Sequence, residues 1–169
     1  MYRRGHWTLI ALLLIISATV VGAETLAVAV RLEWAPEEEP ATAELLSDVE
    51  EGAMDALFAR GHIVFDIDEP DTSEDSWYRA IATARSGGAT SLIVVDVRFH
   101  LVPVRGVLPQ LARVAVVDLE RAASRPLGEV AADELPGAQR QTAEALSLSV
   151  GREAAVRALA EILEGPTTW

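Results

Sequence analysis

Three chemically active side chains alternate along one apolar segment of the sequence. Asp96, Arg98 and His100 are separated by single apolar residues within the segment 91–102, and alternate residues of a strand share one face. A carboxylate, a guanidinium and an imidazole on one face can bind a polar ligand or transfer a proton, and His62 can join them from a neighbouring strand. Because no nucleophile accompanies the histidine, we interpret these residues as an exposed polar patch in which Asp96 pairs with Arg98.

A second group of candidate residues is an acidic segment. Its carboxylates are Asp66, Asp68, Glu69, Asp71, Glu74 and Asp75. Carboxylates at short spacing are calcium ligands, but a calcium loop needs glycine at its sixth position, where this sequence has Asp71 after Pro70. We therefore interpret the segment as a solvated loop that leads into a helix, whose amino terminus favours negative charge.

The remaining candidates for catalysis lack the sequence context that their chemistry needs. No serine stands in a G-x-S-x-G elbow. The pair Gly87-Gly88 lies between a predicted helix and a predicted strand, which is the reverse of the order in a phosphate-binding loop. The sequence contains no cysteine, which excludes thiol nucleophiles and thiolate metal sites. We predict no catalytic residue, no cofactor and no metal ligand, and expect that the protein is not an enzyme.

Two adjacent aromatic residues, Trp77 and Tyr78, are candidates for protein binding. The helical spacing predicts Trp77 on the apolar side with Ile81 and Ala84. Neighbouring residues of a helix point in different directions, so Tyr78 is expected at the rim of this side. Because aromatic side chains often anchor interfaces, the pair joins Asp96, Arg98 and His100 as candidate interaction residues.

Residues 1–23 have the pattern of a secretory signal peptide. Arginines at positions 3 and 4 precede an almost wholly apolar run from Leu9 to Val21, and small residues end at Ala23. The stretch from Thr8 to Ala23 has 16 residues, fewer than the ~20 of a membrane-spanning helix, so we favour cleavage over retention as an anchor. Cleavage predicts a periplasmic or secreted protein without a membrane span.

Length and charge limit what the mature chain can be. Removing 23 of the 169 residues leaves 146, enough for one domain, which we place at 24–165, with 166–169 as a disordered tail. Of the 14 basic residues, two lie in the signal peptide, so 12 remain against 26 acidic residues and the mature formal charge is −14. A chain this acidic disfavours binding to a nucleic-acid backbone, and we predict no nucleic-acid partner.

The hydrophobic spacing of the mature chain predicts five strands and three helices. The strands are expected at 26–34, 62–67, 91–102, 114–119 and 127–131, and the helices from about 42 to 61, from 72 or 73 to 87, and from about 139 to 163. Every residue from Leu92 to Val95 is apolar, which is typical of a central strand buried on both faces. The order β-α-β-α-β-β-β-α predicts an α/β (α+β) fold, a mixed sheet covered by helices.

Three segments carry patterns that occur together in one group of proteins. They are LLSDVEEGAMDALFARGHIVFDIDE, ARSGGATSLIVVDVRFH and RVAVVDLERAASRPLGEV. With the alternating first strand, they resemble the small periplasmic α/β domains of bacterial envelope proteins. Examples are the periplasmic domain of the curli secretion channel, the lipoprotein activators of penicillin-binding proteins and the amino-terminal domain of the Tol-Pal translocation protein. In this superfamily the hairpin often carries a VDxxTG turn, where this sequence has Arg121 and Ala122 in place of Thr-Gly.

The resemblance implies a scaffold that binds other envelope proteins, with no catalytic residues to carry over. The channel and the activators are lipoproteins, whereas this sequence lacks the cysteine that carries the lipid, so the resemblance does not extend to a lipid tether. We predict an exported, non-enzymatic interaction module of the bacterial cell envelope whose partners are envelope proteins. The alternative is a periplasmic ligand- or metal-binding sensor that uses the acidic segment or the Asp96, Arg98 and His100 face. A secreted hydrolase is the third hypothesis.

Overall fold

A computed structural model describes residues 24–36, 41–68 and 73–164. The elements within these residues are β1 (Thr25–Trp34), α1 (Ala41–Phe58), β2 (Ile63–Asp66), α2 (Glu74–Ser86), β3 (Ser91–Val102), β4 (Gly106–Asp118), β5 (Ala123–Ala131) and α3 (Ala143–Glu164). Their order and type confirm the predicted α+β fold with a mixed sheet.

Some predictions concern residues outside these ranges. The signal peptide at 1–23, the acidic positions Glu69 and Asp71, and the tail at 166–169 all lie outside the described residues. Among the residues that are described, no helix is long and apolar enough to cross a bilayer.

The five strands form one sheet in the order β2-β1-β3-β4-β5. β1 pairs in parallel with β2 and β3, whereas β3, β4 and β5 pair antiparallel. Each parallel neighbour needs a crossover connection, and α1 and α2 lie in the two crossovers. β3 is therefore the central strand, and the residues from Leu92 to Val95 are all buried, as the apolar run predicted.

α1 and α3 cover one face of the sheet and form the larger core with it. The strands contribute alternate residues such as Val28, Ile93 and Val95, and the helices contribute Val49 and Val150. All five side chains are fully buried. Because each buried aliphatic side chain of this size contributes ~1.5–3 kcal/mol, this layer is the main source of stability.

Two glycines allow α1 and α3 to cross at short distance. Gly52 lies against the backbone of Leu148, and Gly151 lies against the carbonyl of Val49. A Cβ at either position would overlap the backbone of the facing helix. Glycine inside a helix costs ~1 kcal/mol relative to alanine, and here the close packing of the two helices offsets that cost.

Gly151→Ala is expected to lower the free energy of unfolding by roughly 1–3 kcal/mol, because the added methyl group forces α1 and α3 apart. Unfolding of the purified protein in urea measures the change. Arg152→Ala, at the next and exposed position of α3, is the control and should change stability by less than ~0.5 kcal/mol. A Gly151→Ala protein as stable as the wild type would show that the crossing has room for a side chain.

α2 forms a smaller core against part of the other sheet face. The helix begins after Ser73, whose Oγ accepts a hydrogen bond from the Ser76 N–H at 3.2 Å, as the sequence predicted. Ala80 and Ala84 of this helix are buried. The strand residues of this core are Ala27, Ala29, Leu92, Val94 and Val117. They occupy only the first halves of β1 and β3 and the end of β4, so much of this face extends beyond α2.

The β4–β5 hairpin is longer than the sequence predicted. β4 begins at Gly106 rather than at residue 114, and β5 begins at Ala123 rather than at residue 127. Both strands contain a proline, Pro109 and Pro126, a residue that usually lies at the end of a strand or on an edge strand. Each proline lies beside a shift of the pairing register. A residue without an amide hydrogen is tolerated there because the ladder is already interrupted.

The segment before α3 also differs from the prediction. α3 begins at Ala143 rather than near residue 139, and residues 132–134 and 138–140 form two 3₁₀ turns. Gly137 separates these turns with a φ of 77°, a left-handed conformation that glycine adopts without strain. The turns lie at the end of the sheet, next to the candidate site.

Candidate functional site

The polar residues of β3 lie on the part of the sheet face beyond α2. Asp96, Arg98 and His100 continue the row of alternate residues that starts with Leu92 and Val94 of the smaller core. Leu92 and Val94 are buried, whereas the three polar residues are partly exposed. The three polar side chains therefore share one face of β3, but they are partly buried rather than fully exposed.

Asp96 binds Arg31 of β1 rather than Arg98. Arg31 Nε donates to Oδ1 at 2.7 Å and Nη2 donates to Oδ2 at 2.9 Å. The Arg31 side chain is 7% exposed and that of Asp96 is 24% exposed. The predicted pairing of Asp96 with Arg98 is wrong because Arg31 is the direct register partner of Asp96. Cross-strand partners are only ~5 Å apart at Cβ, closer than second neighbours along one strand.

Trp77 of α2 contacts the arginine of this ion pair. Its ring centroid is 5.3 Å from Arg31 Cζ, within the range of a cation–π interaction. Trp77 also packs on the smaller core together with Ile81, as predicted. Tyr78 is 61% exposed, and its hydroxyl donates to Glu74 Oε1 at 3.3 Å. Trp77 therefore joins the apolar and polar parts of the face, while Tyr78 lies at the rim.

A second group of ion pairs lies beside this pair and crosses the sheet from β1 to β5. Glu33 Oε1 accepts hydrogen bonds from Arg98 Nη2 and Arg113 Nη1, each at 2.7 Å. Arg113 Nε donates to Glu129 Oε1 at 3.1 Å. The hydrogen bond to Glu129, followed by the charge of Glu33, raises the pKa of Arg113. We name this ion-paired surface the open face and define it as Arg31, Glu33, Asp96, Arg98, Arg113 and Glu129.

Four residues of the open face were not among the predicted site residues. They are Arg31, Glu33, Arg113 and Glu129. The sequence of β1 could have indicated one of them, Arg31, because it follows Ala27 and Ala29 on one face of the strand. A change from alanine to arginine along one face indicates that this face leaves the apolar core. Assigning Asp96 as the partner of Arg31 requires the register of two segments 65 residues apart.

A cleft of about 470 Å³ opens next to Arg98 and His100. It lies between the β3–β4 hairpin, the 3₁₀ turns after β5 and the start of α3. Its lining is mostly apolar and consists of Arg98, His100, Val102, Arg105, Leu108, Pro109, Gln110, Leu111, Ala131, Asp133, Ala138, Gln139 and Leu146. We refer to this space as the cleft.

Two buried polar atoms of the cleft residues have no hydrogen-bond partner among the described residues. They are Arg98 Nε and His100 Nδ1. Arg105 is oriented by the loop beside it, since its Nη2 donates to the carbonyl oxygens of Ala138 at 3.2 Å and Gln141 at 2.8 Å. The cleft therefore combines an apolar wall with nitrogen groups that can bind an acceptor.

His62 does not join His100. It directly precedes β2, whose first residue, Ile63, pairs with Thr25 at the start of β1. His100 lies near the end of β3. Because these three strands are parallel, the two histidines lie at opposite ends of the sheet, ~30 Å apart along the strand direction. The hypothesis that His62 contributes to the polar patch is wrong.

The described carboxylates of the acidic segment lie in two places: Asp66 and Asp68 are near Glu50 of α1, whereas Glu74 and Asp75 are in the first turn of α2. Burial, followed by the charges of Asp66 and Asp68, raises the pKa of Glu50. These three carboxylates therefore repel one another. Within residues 24–36, 41–68 and 73–164, no group of three or more histidine, aspartate or glutamate side chains is placed to hold a metal ion.

Comparison with known proteins does not assign a family to this chain. No protein-family model matches it, and no curated protein sequence matches it. Two crystal forms of the PelC dodecamer from Paraburkholderia phytofirmans are each 15% identical in sequence to this chain. The first has a TM-score of 0.49 and covers 82% of this chain and 90% of the PelC chain. The second has a TM-score of 0.47 and covers 80% of this chain and 86% of the PelC chain. A homologue of the neuraminyllactose-binding hemagglutinin from Helicobacter pylori is 8% identical, with a TM-score of 0.36 over 85% of each chain. These distant similarities carry no assignment of function.

Proposed function

We propose that this protein is an exported, non-enzymatic interaction module of the bacterial cell envelope that binds another envelope protein through the open face. The observation that carries the proposal is the ion-paired network across β1, β3, β4 and β5, which extends beyond the part of the sheet that α2 covers. Side chains that are held in place before binding lose little conformational entropy when a partner docks.

Exposed aromatic side chains flank the open face. Trp34 is 52% exposed and is the register partner of Arg98. Tyr78 is exposed at the rim of α2. Tyrosine, tryptophan and arginine are the residues that most often dominate the energy of protein interfaces. The open face and its rim therefore supply both anchors and charges that define the orientation of a partner.

The partner that suits this surface is a protein with a basic contact region. The mature chain expected after signal cleavage has a formal charge of −14, which attracts a basic surface at long range. At close range, Glu129 is half exposed and can accept hydrogen bonds from a partner. The expected signal peptide and the resemblance to small periplasmic α/β domains support a partner within the envelope.

The surroundings of His100, next to the open face, favour a role in binding over a role in catalysis. His100 Nδ1 has no hydrogen-bond partner in the described part of the chain. A catalytic histidine needs a nucleophile or an orienting carboxylate within hydrogen-bond distance. The charged groups nearby instead bind one another, as Arg98 does with Glu33.

Arg113→Glu is expected to weaken partner binding at least ~10-fold, because it breaks the ion pairs that hold Glu33 and Glu129 in place at the centre of the open face. The loss of this preorganised arrangement outweighs the added attraction of one more negative charge for a basic partner. The mature protein is immobilised and incubated with an envelope extract of the organism, and captured proteins are identified by mass spectrometry. The affinity of the captured envelope protein is then measured with purified components.

Arg152→Glu makes the same charge change on the exposed surface of α3 and is the matched control, which should bind as the wild type does. Thermal unfolding verifies that both variants are folded. Equal binding by the two variants, or the absence of a reproducible envelope partner, would contradict the proposal.

A further inference from the structure

We propose that the cleft binds a small amphipathic monocarboxylate, a ligand with one carboxylate head and an apolar body. The volume of about 470 Å³ lies within the range of ~300–1,000 Å³ that is usual for small-molecule sites. Such sites combine apolar walls with a few polar groups that fix the orientation of the ligand. This inference does not depend on the proposed protein contact.

The two unpartnered atoms define the head of the ligand. Arg98 Nε carries a hydrogen and can only donate, so its missing partner is an acceptor. His100 Nδ1 is also a donor in one neutral tautomer and in the cationic imidazole. A carboxylate offers two acceptor oxygens, and its bond with a guanidinium is charge-assisted.

The charges around the cleft favour a ligand with a single negative charge. Arg105 donates to two backbone carbonyls and forms no ion pair within the described residues, so its positive charge is not neutralised by a direct contact. Arg98 already binds Glu33, and Asp133 contributes a carboxylate to the lining. A polyanion such as phosphate would be repelled by these two carboxylates, whereas one negative charge matches Arg105.

Apolar side chains from different elements provide the wall for the body of the ligand. Leu108 and Leu146 are each 3% exposed, which fixes their positions, and Pro109 and Leu111 extend the wall along β4. The wall comes from β4 and α3, so it is formed before a ligand enters. Octanoate, which has a carboxylate on a linear hydrocarbon chain, is a suitable probe.

Isothermal titration of octanoate into the mature protein tests the site. We expect a Kd in the low millimolar range or tighter, which is the affinity that a ligand of about ten non-hydrogen atoms reaches. Arg98→Met and His100→Ala should each weaken binding by ~10-fold or more, because each removes a donor to the carboxylate. His100→Gln, which retains a donor, should recover part of the affinity.

Two matched controls lie far from the cleft. Arg121→Met removes an ion-paired arginine at the β4–β5 turn, and His62→Ala removes a histidine whose Nδ1 is also buried without a partner in the described chain. Both should bind octanoate within about twofold of the wild type, and thermal unfolding verifies that each variant is folded. No binding at ~10 mM octanoate, equal binding of octylamine, or unchanged affinity in both cleft variants would overturn the proposal.

Discussion

Val94→Asp is expected to lower the free energy of unfolding by roughly 3–5 kcal/mol, because it places a carboxylate without a partner inside the smaller core. Val94 is 2% exposed and lies on the central strand, between Ala29 of β1 and Ala115 of β4. The other residues of this core are apolar, so none of them can neutralise the charge. The expected loss is a large part of the ~5–15 kcal/mol that stabilises a typical domain.

Unfolding in urea, followed by circular dichroism, measures this loss. Leu101→Asp introduces the same side chain into the same strand at a position that is 58% exposed, and it should change stability by less than ~0.5 kcal/mol. Equal midpoints for Val94→Asp and the wild type would show that this part of β3 is not enclosed by the sheet and α2.

The position of β3 could be predicted because its signal is local. Four consecutive apolar residues from Leu92 to Val95 cannot satisfy the alternation of a half-exposed strand, so both faces must be buried. The change to alternating polar residues at Asp96 also predicted where one face leaves the core. Both inferences need only the sequence of the strand itself.

The extent of the β4–β5 hairpin could not be predicted in the same way. Pro109 and Pro126 act as local signals for a strand end, but the pairing on either side of each proline outweighs the loss of one amide hydrogen. Whether a proline falls at a register shift depends on the partner strand. Local sequence does not contain that information.

The candidate site could likewise be predicted only where it depends on neighbouring residues in the sequence, and not where it depends on contacts between distant segments. The alternation of Asp96, Arg98 and His100 placed them on one face, but the partner of Asp96 lies on a strand 65 residues earlier in the chain. The cleft depends on the two 3₁₀ turns before α3, neither of which was predicted: residues 132–134 lay outside the predicted elements, and residues 139–140 fell within the predicted last helix. Their position beside His100 follows from the path of the folded chain rather than from any residue pattern.

Asp96→Leu is expected to lower the free energy of unfolding by roughly 2–4 kcal/mol, because it leaves the guanidinium of Arg31 buried without a counterion. This loss is smaller than the ~3–5 kcal/mol expected when a fully buried ion pair is broken, because solvent reaches Asp96, whose side chain is 24% exposed. It is still large because the Arg31 side chain is only 7% exposed. The cation–π contact between Arg31 and Trp77 is present in both proteins, so it does not replace the lost counterion.

The double variant Arg31→Met/Asp96→Leu distinguishes a buried charge from lost packing. Methionine can still pack against the ring of Trp77, and replacement of both charges by apolar side chains leaves no unpaired ion, so the double variant should regain most of the stability lost in Asp96→Leu. Glu153→Ala, which breaks a pair with both side chains 37% exposed on α3, is the exposed control and should cost less than ~1 kcal/mol. If the double variant is as unstable in urea as Asp96→Leu, then the ion pair itself stabilises the sheet, and the loss does not arise from an unpaired Arg31.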